Sequence, residues 1–178
     1  MANVEKLVEY IELEMTKNSK SSAANQIREK NSETLGLYDA MVLWKSKVGN
    51  RKPWDHKGHI KNTYGEWASD SETSTQYNYD IWSNLHYGYV GRHVGFSEWL
   101  LKAGAGYAQL SAGTSPSGYW GRRFSKLGDA DFLAAFDDPK DLAAIDIGSK
   151  LWVNNKSNIT ANKILRAIRS RRKELQIK

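Results

Sequence analysis

The chain has 178 residues, with 26 Lys and Arg against 20 Asp and Glu, a formal net charge of +6. It has no cysteine, which excludes disulfide frameworks, thiolate zinc sites and cysteine nucleophiles. The length suits one domain with its own core, and no apolar run approaches the roughly 20 residues of a membrane helix. The opening MANVEKLVEY has no apolar signal-peptide core, so the sequence predicts export only by some other carrier.

A first helix is predicted where Val4, Leu7, Val8, Ile11 and Met15 recur at three- and four-residue spacing. The polar, serine-rich stretch 18–25 reads as a loop. A second helix is predicted over 33–47, striped by Leu37, Met41, Trp44 and Val48 and stopped by Gly49-Asn50. Residues 53–64 read as irregular and 67–75 as an acidic turn region. Aromatic alternation at Tyr77, Tyr79 and Ile81 gives a strand signal over 76–89, so a small β-hairpin or sheet is predicted around residues 64–90. Ser97 caps a helix through Trp99, Leu100, Leu101, Tyr107 and Ala108. Residues 111–128, rich in Gly and Ser, read as a long loop. Asp137-Asp138-Pro139 opens a helix through Leu142, Ile145 and Trp152. Thr160 caps a last, basic one through Ile164, Ile168 and Leu175, over about 160–175. The sum is a mainly helical α+β single domain over 1–178. The lack of a strongly amphipathic apolar helix argues against membrane insertion.

The charge is unevenly placed. Residues 161–178 hold seven basic residues and one acid, which accounts for the whole +6. The preceding 160 residues balance. The basic helix reads as a solvated face, a phosphate-binding stripe or a docking surface for an acidic partner, and the body carries no net pull on a polyanion.

Seven Trp and nine Tyr exceed what a core of this size requires, and such side chains favour binding surfaces. The densest polar and aromatic region, 54–92, holds Trp54, Asp55, His56, Lys57, His59, Glu66, Trp67, Tyr79, Asp80, Trp82, Asn84, His86, Tyr87 and Arg92. His56-x-x-His59 is not the pair of a helical zinc protease and encloses no glutamate, so no metal and no cofactor is expected. A Gly-x-Ser-x-Gly elbow and a phosphate-binding glycine loop are both absent.

Two constellations carry chemistry. Glu66 and Asp80 flank the predicted hairpin. A glutamate packed on Trp67 would be held protonated as a general acid, while Asp80 beside Asn84 and His86 would serve as base or nucleophile. That layout is similar to lysozyme-like enzymes. Trp54, Trp67, Tyr79, Trp82 and Tyr87 would stack on sugars, with Asp55, Lys57, Asn84 and Arg92 positioning substrate. Alternatively His56 and His86 supply acid and base, Lys57 the cation and Asp80 a carboxylate for a metal-independent ribonuclease.

At Trp54-Asp55-His56-Lys57 and from Tyr79-Asp80-Ile81-Trp82-Ser83-Asn84-Leu85-His86 to Gly88-Tyr89-Val90-Gly91 the chain resembles the bacterial polymorphic toxin type 44 domain. The resemblance continues through Gly95-Phe96-Ser97, Phe136-Asp137-Asp138-Pro139 and Ile147-Gly148, over about residues 4–153, with Asp55, His56, Lys57, Asp80, Asn84, Gly88 and Gly91 as matching positions. It implies a toxic domain of a larger secreted or contact-delivered protein, rival bacteria as target, and a cognate immunity protein, whose acidic surface would suit the basic helix. It leaves the chemistry open, a nuclease included. The expectation is a hydrolase toxin acting in the target periplasm as a peptidoglycan muramidase, with the ribonuclease and a non-enzymatic binding module as alternatives.

Overall fold

The computed structural model describes residues 2–103 and 138–178. The helices predicted from spacing form where expected. Helix α1 (Val4–Ser19) buries Val4, Leu7, Val8, Ile11 and Met15, and the Asn3 side chain caps it by accepting from Glu5 N. The stretch read as a loop breaks only at Lys20 and Ser21, because Ser21 accepts from Ala24 N and starts α2 (Ser22–Ser32). Helix α3 (Leu37–Val48) follows, burying Met41 and Trp44.

Residues 53–64 are more ordered than predicted, since α4 (Lys57–Tyr64) occupies most of them. Both Asp55 carboxylate oxygens are spent here. Oδ2 accepts from Arg51 N at 2.8 Å and Oδ1 from Lys57 N at 3.2 Å, so Asp55 fixes the start of α4.

The predicted hairpin is real but shorter. Strands β2 (Trp67–Asp70) and β3 (Thr75–Asn78) pair antiparallel, Trp67 opposite Asn78 and Asp70 opposite Thr75. The two-residue strand β1 (Ala2–Asn3) joins β2 in parallel, giving the order β1-β2-β3. The C-terminal residues continue the sheet, with Gln76 and Lys178 exchanging backbone hydrogen bonds at 3.0 Å and Tyr77 bridging Ile177.

The strand reading fails beyond Asn78. There the Asn78 side chain accepts from Asp80 N at 3.1 Å and opens α5 (Tyr79–His93). Every residue from Ile81 to Gly91 is buried, so the helix lacks the polar stripe that marks an amphipathic one.

Ser97 caps α6 (Glu98–Ala103) as expected, its hydroxyl accepting from Leu100 N at 3.1 Å. The expected continuation through Tyr107 and Ala108 and the long loop at 111–128 lie outside the described residues. Helix α7 (Pro139–Asn155) starts as predicted, Asp138 accepting from Lys140 N at 2.8 Å. Thr160 caps α8 (Ala161–Ser170). Leu175 is buried beyond it, after a short 3-10 turn.

Helices α5 and α7 form the most extensive contact between described elements. Asn84 meets Asp141, Gly88 meets Ile145 and Tyr89 meets Trp152. The partners climb together, so the two helices run parallel and their N-termini share one end of the molecule.

Candidate active site

Three helix starts meet at that end. The backbone N–H of His56, the residue before α4, lies 3.3 Å from Ser83 Oγ of α5. Lys57, the first residue of α4, reaches Asp80 in the first turn of α5, Nζ to Oδ1 3.1 Å. It is an ion pair whose geometry falls short of a hydrogen bond. One turn on, buried Asn84 donates from Nδ2 to Asp141 Oδ1 at 2.9 Å, in the first turn of α7. Helix N-termini favour negative charge, which explains acidic residues at both places.

Asp141 was not singled out by sequence reasoning. Burial raises its pKa to about 6, with the charges of Asp80 and Asp138 adding and the charge of Lys57 and the hydrogen bond from Asn84 opposing. Its signal was present in the sequence as an acid three residues after the cap of a predicted helix. Only the tertiary contact with Asn84 distinguishes it from an ordinary first-turn acid.

The other expected residues divide into three groups. Asp80, Lys57 and Asn84 come together as described, and Tyr79 lies beside them, half-exposed, with Lys61 Nζ 5.0 Å from its ring centroid. Glu66 borders them through its backbone. It is exposed in the turn between α4 and β2, and its carbonyl accepts from Tyr79 N at 3.0 Å. Among the described residues no hydrogen bond or ion pair links its carboxylate to Asp80. Nor does it have the apolar cover expected from Trp67, whose ring instead carries Lys178 Nζ at 4.0 Å.

The third group is interior. Trp54, Trp82 and Tyr87 are buried in the core and offer no ring face to a sugar. Tyr87 donates to Leu101 O at 3.2 Å. Arg92 holds Phe96 O at 2.7 Å in the last turn of α5. At 1.5 Å per residue it is about 18 Å along the helix from Asp80, too far to share a site.

His56 and His86 are also interior, 3% and 0% exposed. Their rings meet edge to face, centroids 4.3 Å apart. The Tyr10 hydroxyl lies 2.8 Å from His56 Nδ1, and the Asn18 amide donates to His86 Nε2 at 2.9 Å. Burial lowers the pKa of His56 to about 4. Burial first, then the neighbouring His56, also pushes His86 well below the ordinary imidazole range. Both are sealed from solvent, and burial favours the neutral form of each.

The basic C-terminal helix is partly spent inside the molecule. Arg169 grips buried Asp70 with two hydrogen bonds, 2.8 and 2.9 Å, and also meets Glu72. Arg171 meets buried Asp146 and exposed Glu174. Arg166, Arg172 and Lys173 face solvent.

Among the described residues no three His, Asp or Glu side chains converge as a metal ion requires. No helix of that set is long and apolar enough to cross a membrane.

No curated protein and no solved structure matches the chain. The family model described as bacterial toxin 44, Ntox44, matches residues 43–154. That stretch runs from α3 through nearly all of α7 and holds Lys57, Asp80, Asn84 and Asp141, while α1, α2 and the basic α8 fall outside it. The match spans more than half of the sequence, and the chain belongs to the bacterial toxin 44 family.

Proposed function

We propose that this toxin domain is a hydrolase of the bacterial cell wall, cleaving peptidoglycan glycan as a muramidase, with Asp80 as a catalytic carboxylate. The observation that carries the reading is the contrast between two sets of groups. Asp80, with Lys57, stands at an accessible junction of three helix starts, whereas both candidate histidines are buried and neutral. Glycoside hydrolysis runs on carboxyl groups; metal-free RNA cleavage by the expected route needs titrating histidines. Tyr79 beside Asp80 and Trp67 nearby in the sheet are the half-exposed rings left to stack on sugars.

The domain would act in the target periplasm after secretion or contact delivery as part of a larger protein. A cognate immunity protein with an acidic surface would suit the outward Arg166, Arg172 and Lys173.

Ribonuclease activity is the second reading, favoured by Lys57 among helix N-termini, a setting that attracts phosphate. Compartment-directed expression separates the two. The muramidase kills only when sent to the periplasm and releases soluble muropeptides from purified sacculi. Killing from the cytoplasm with loss of RNA would sink it.

A further inference from the structure

Glycoside hydrolysis by Asp80 needs a second carboxyl group that arrives protonated. Glu66 is exposed and without apolar cover. Asp55 spends both oxygens on backbone N–H groups, and Asp138 caps α7. We propose that Asp141 is the proton donor of this site and that Asn84 is its positioning residue, an inference that rests on the glycan-hydrolase reading.

The geometry is built from the helices upward. Asp80 and Asn84 are four residues apart on α5, so they leave the same face. Asn84 is buried and its amide holds one carboxyl oxygen of Asp141 at 2.9 Å. The register of α7 against α5 is fixed below by glycines set against backbone carbonyls, so Asp141 cannot slide away from Asp80.

Three charged groups face Asp141: Lys57 from α4, Asp80 from α5 and Asp138 from its own turn. Half-burial and the two acids favour the neutral carboxyl, and Lys57 and Asn84 favour the ionised one. The result is a donor poised near neutrality, where general acids work best.

In the step itself Asp141 gives its proton to the bridging glycosidic oxygen. The C–O bond breaks and its electron pair stays on that oxygen. A water bonds to the anomeric carbon and passes its proton to Asp80. One water is consumed, and the proton returns from Asp80 to Asp141 through solvent.

The test is muropeptide release from purified sacculi over a pH series, using wild-type chain, Asp141→Asn and Asn84→Ala, with thermal unfolding to confirm folding. Asp141→Asn keeps size and the hydrogen bond from Asn84, and loses on the order of 10²–10⁴-fold activity. Wild-type activity falls as pH rises through about 6. In Asn84→Ala that limb moves to higher pH, because the amide no longer favours the ionised form. A merely structural Asn84 would lower activity without moving the limb. Asp141→Asn within about tenfold of wild type, or a limb unmoved in Asn84→Ala, overturns the proposal. If wild type kills but leaves sacculi intact, the glycan reading falls instead. The toxicity of Asp141→Asn in the killing compartment then decides the role of Asp141.

Discussion

Gly88 of α5 and Gly148 of α7 face one another as reciprocal notches. A Cβ at Gly88 would stand 2.2 Å from the Ile145 carbonyl oxygen, and one at Gly148 would stand 2.1 Å from that of Leu85. No flexible side chain can yield there, because the obstacle on each side is backbone.

The notches set the first prediction. Gly88→Ala or Gly148→Ala forces the helices apart and lowers stability by about 1–3 kcal/mol, the usual cost of overpacking. It also shifts Asp141 relative to Asp80 and lowers activity. Gly58→Ala is the contrast, since nothing lies within 4 Å of its added Cβ. That change stabilises α4 by roughly 0.5–1 kcal/mol. Thermal unfolding of the three variants checks both signs.

Asp141 is held at a pKa of about 6, above its ordinary value of 3.8. An acid raised on folding supports the fold fully below pH 3.8 and weakens it as pH rises through about 6. Asp141→Asn removes that penalty and stabilises the chain at neutral pH. The gain is about 1–2 kcal/mol after discounting for partial exposure. Denaturant unfolding at pH 7.5 would read it as an upward shift of the midpoint with unchanged slope.

His56 works in the opposite direction. Its folded pKa of about 4 lies below the ordinary 6.5, so its contribution is fully present above pH 6.5 and is lost as pH falls toward 4. The loss is on the order of 3 kcal/mol, and His86 adds in the same direction. The window overlaps that of Asp141, so the measurement belongs in the Asp141→Asn background. There stability declines steeply below pH 6.5, and adding His56→Asn flattens the slope. A slope unchanged by the second substitution would remove His56 as its source.

Asp70 is 2% exposed, and Arg169 is its one charged partner across the fold, bonding both carboxylate oxygens, which also accept from Glu72 N and Thr73 Oγ1. Arg169→Met leaves that charge buried without its partner and costs about 3 kcal/mol. Asp70→Asn combined with Arg169→Met recovers part of the loss, since no charge then remains to strand. Unfolding of the two single variants and the pair gives the coupling directly.

The legible parts of the fold were those written in local chemistry. Ser97, Asp138 with Pro139, and Thr160 each announce a helix start by cap residues, and each start is found. α5 was hidden because it is buried on all sides: without a solvent face there is no helical period, and its aromatic residues imitate strand alternation. Asp80 was legible as a candidate from its polar neighbours. Glu66 lacks the expected apolar cover because adjacency to Trp67 in sequence does not place its carboxylate against the ring. Asp141 became visible only when two helices separated by some fifty residues were brought side by side.

The hairpin is flanked by β1 at one end of the chain and by residues 176–178 at the other. Pairing Tyr77 with Ile177 closes a loop of roughly a hundred residues, which costs chain entropy and slows the encounter. During synthesis the sheet therefore stays incomplete until residues 176–178 have emerged, long after α1, α2 and α3 can pack on one another. The bonds between β2 and β3 are local, so it is the outer edge of β3, the Gln76 and Asn78 amides, that gains its partners only with residues 176–178.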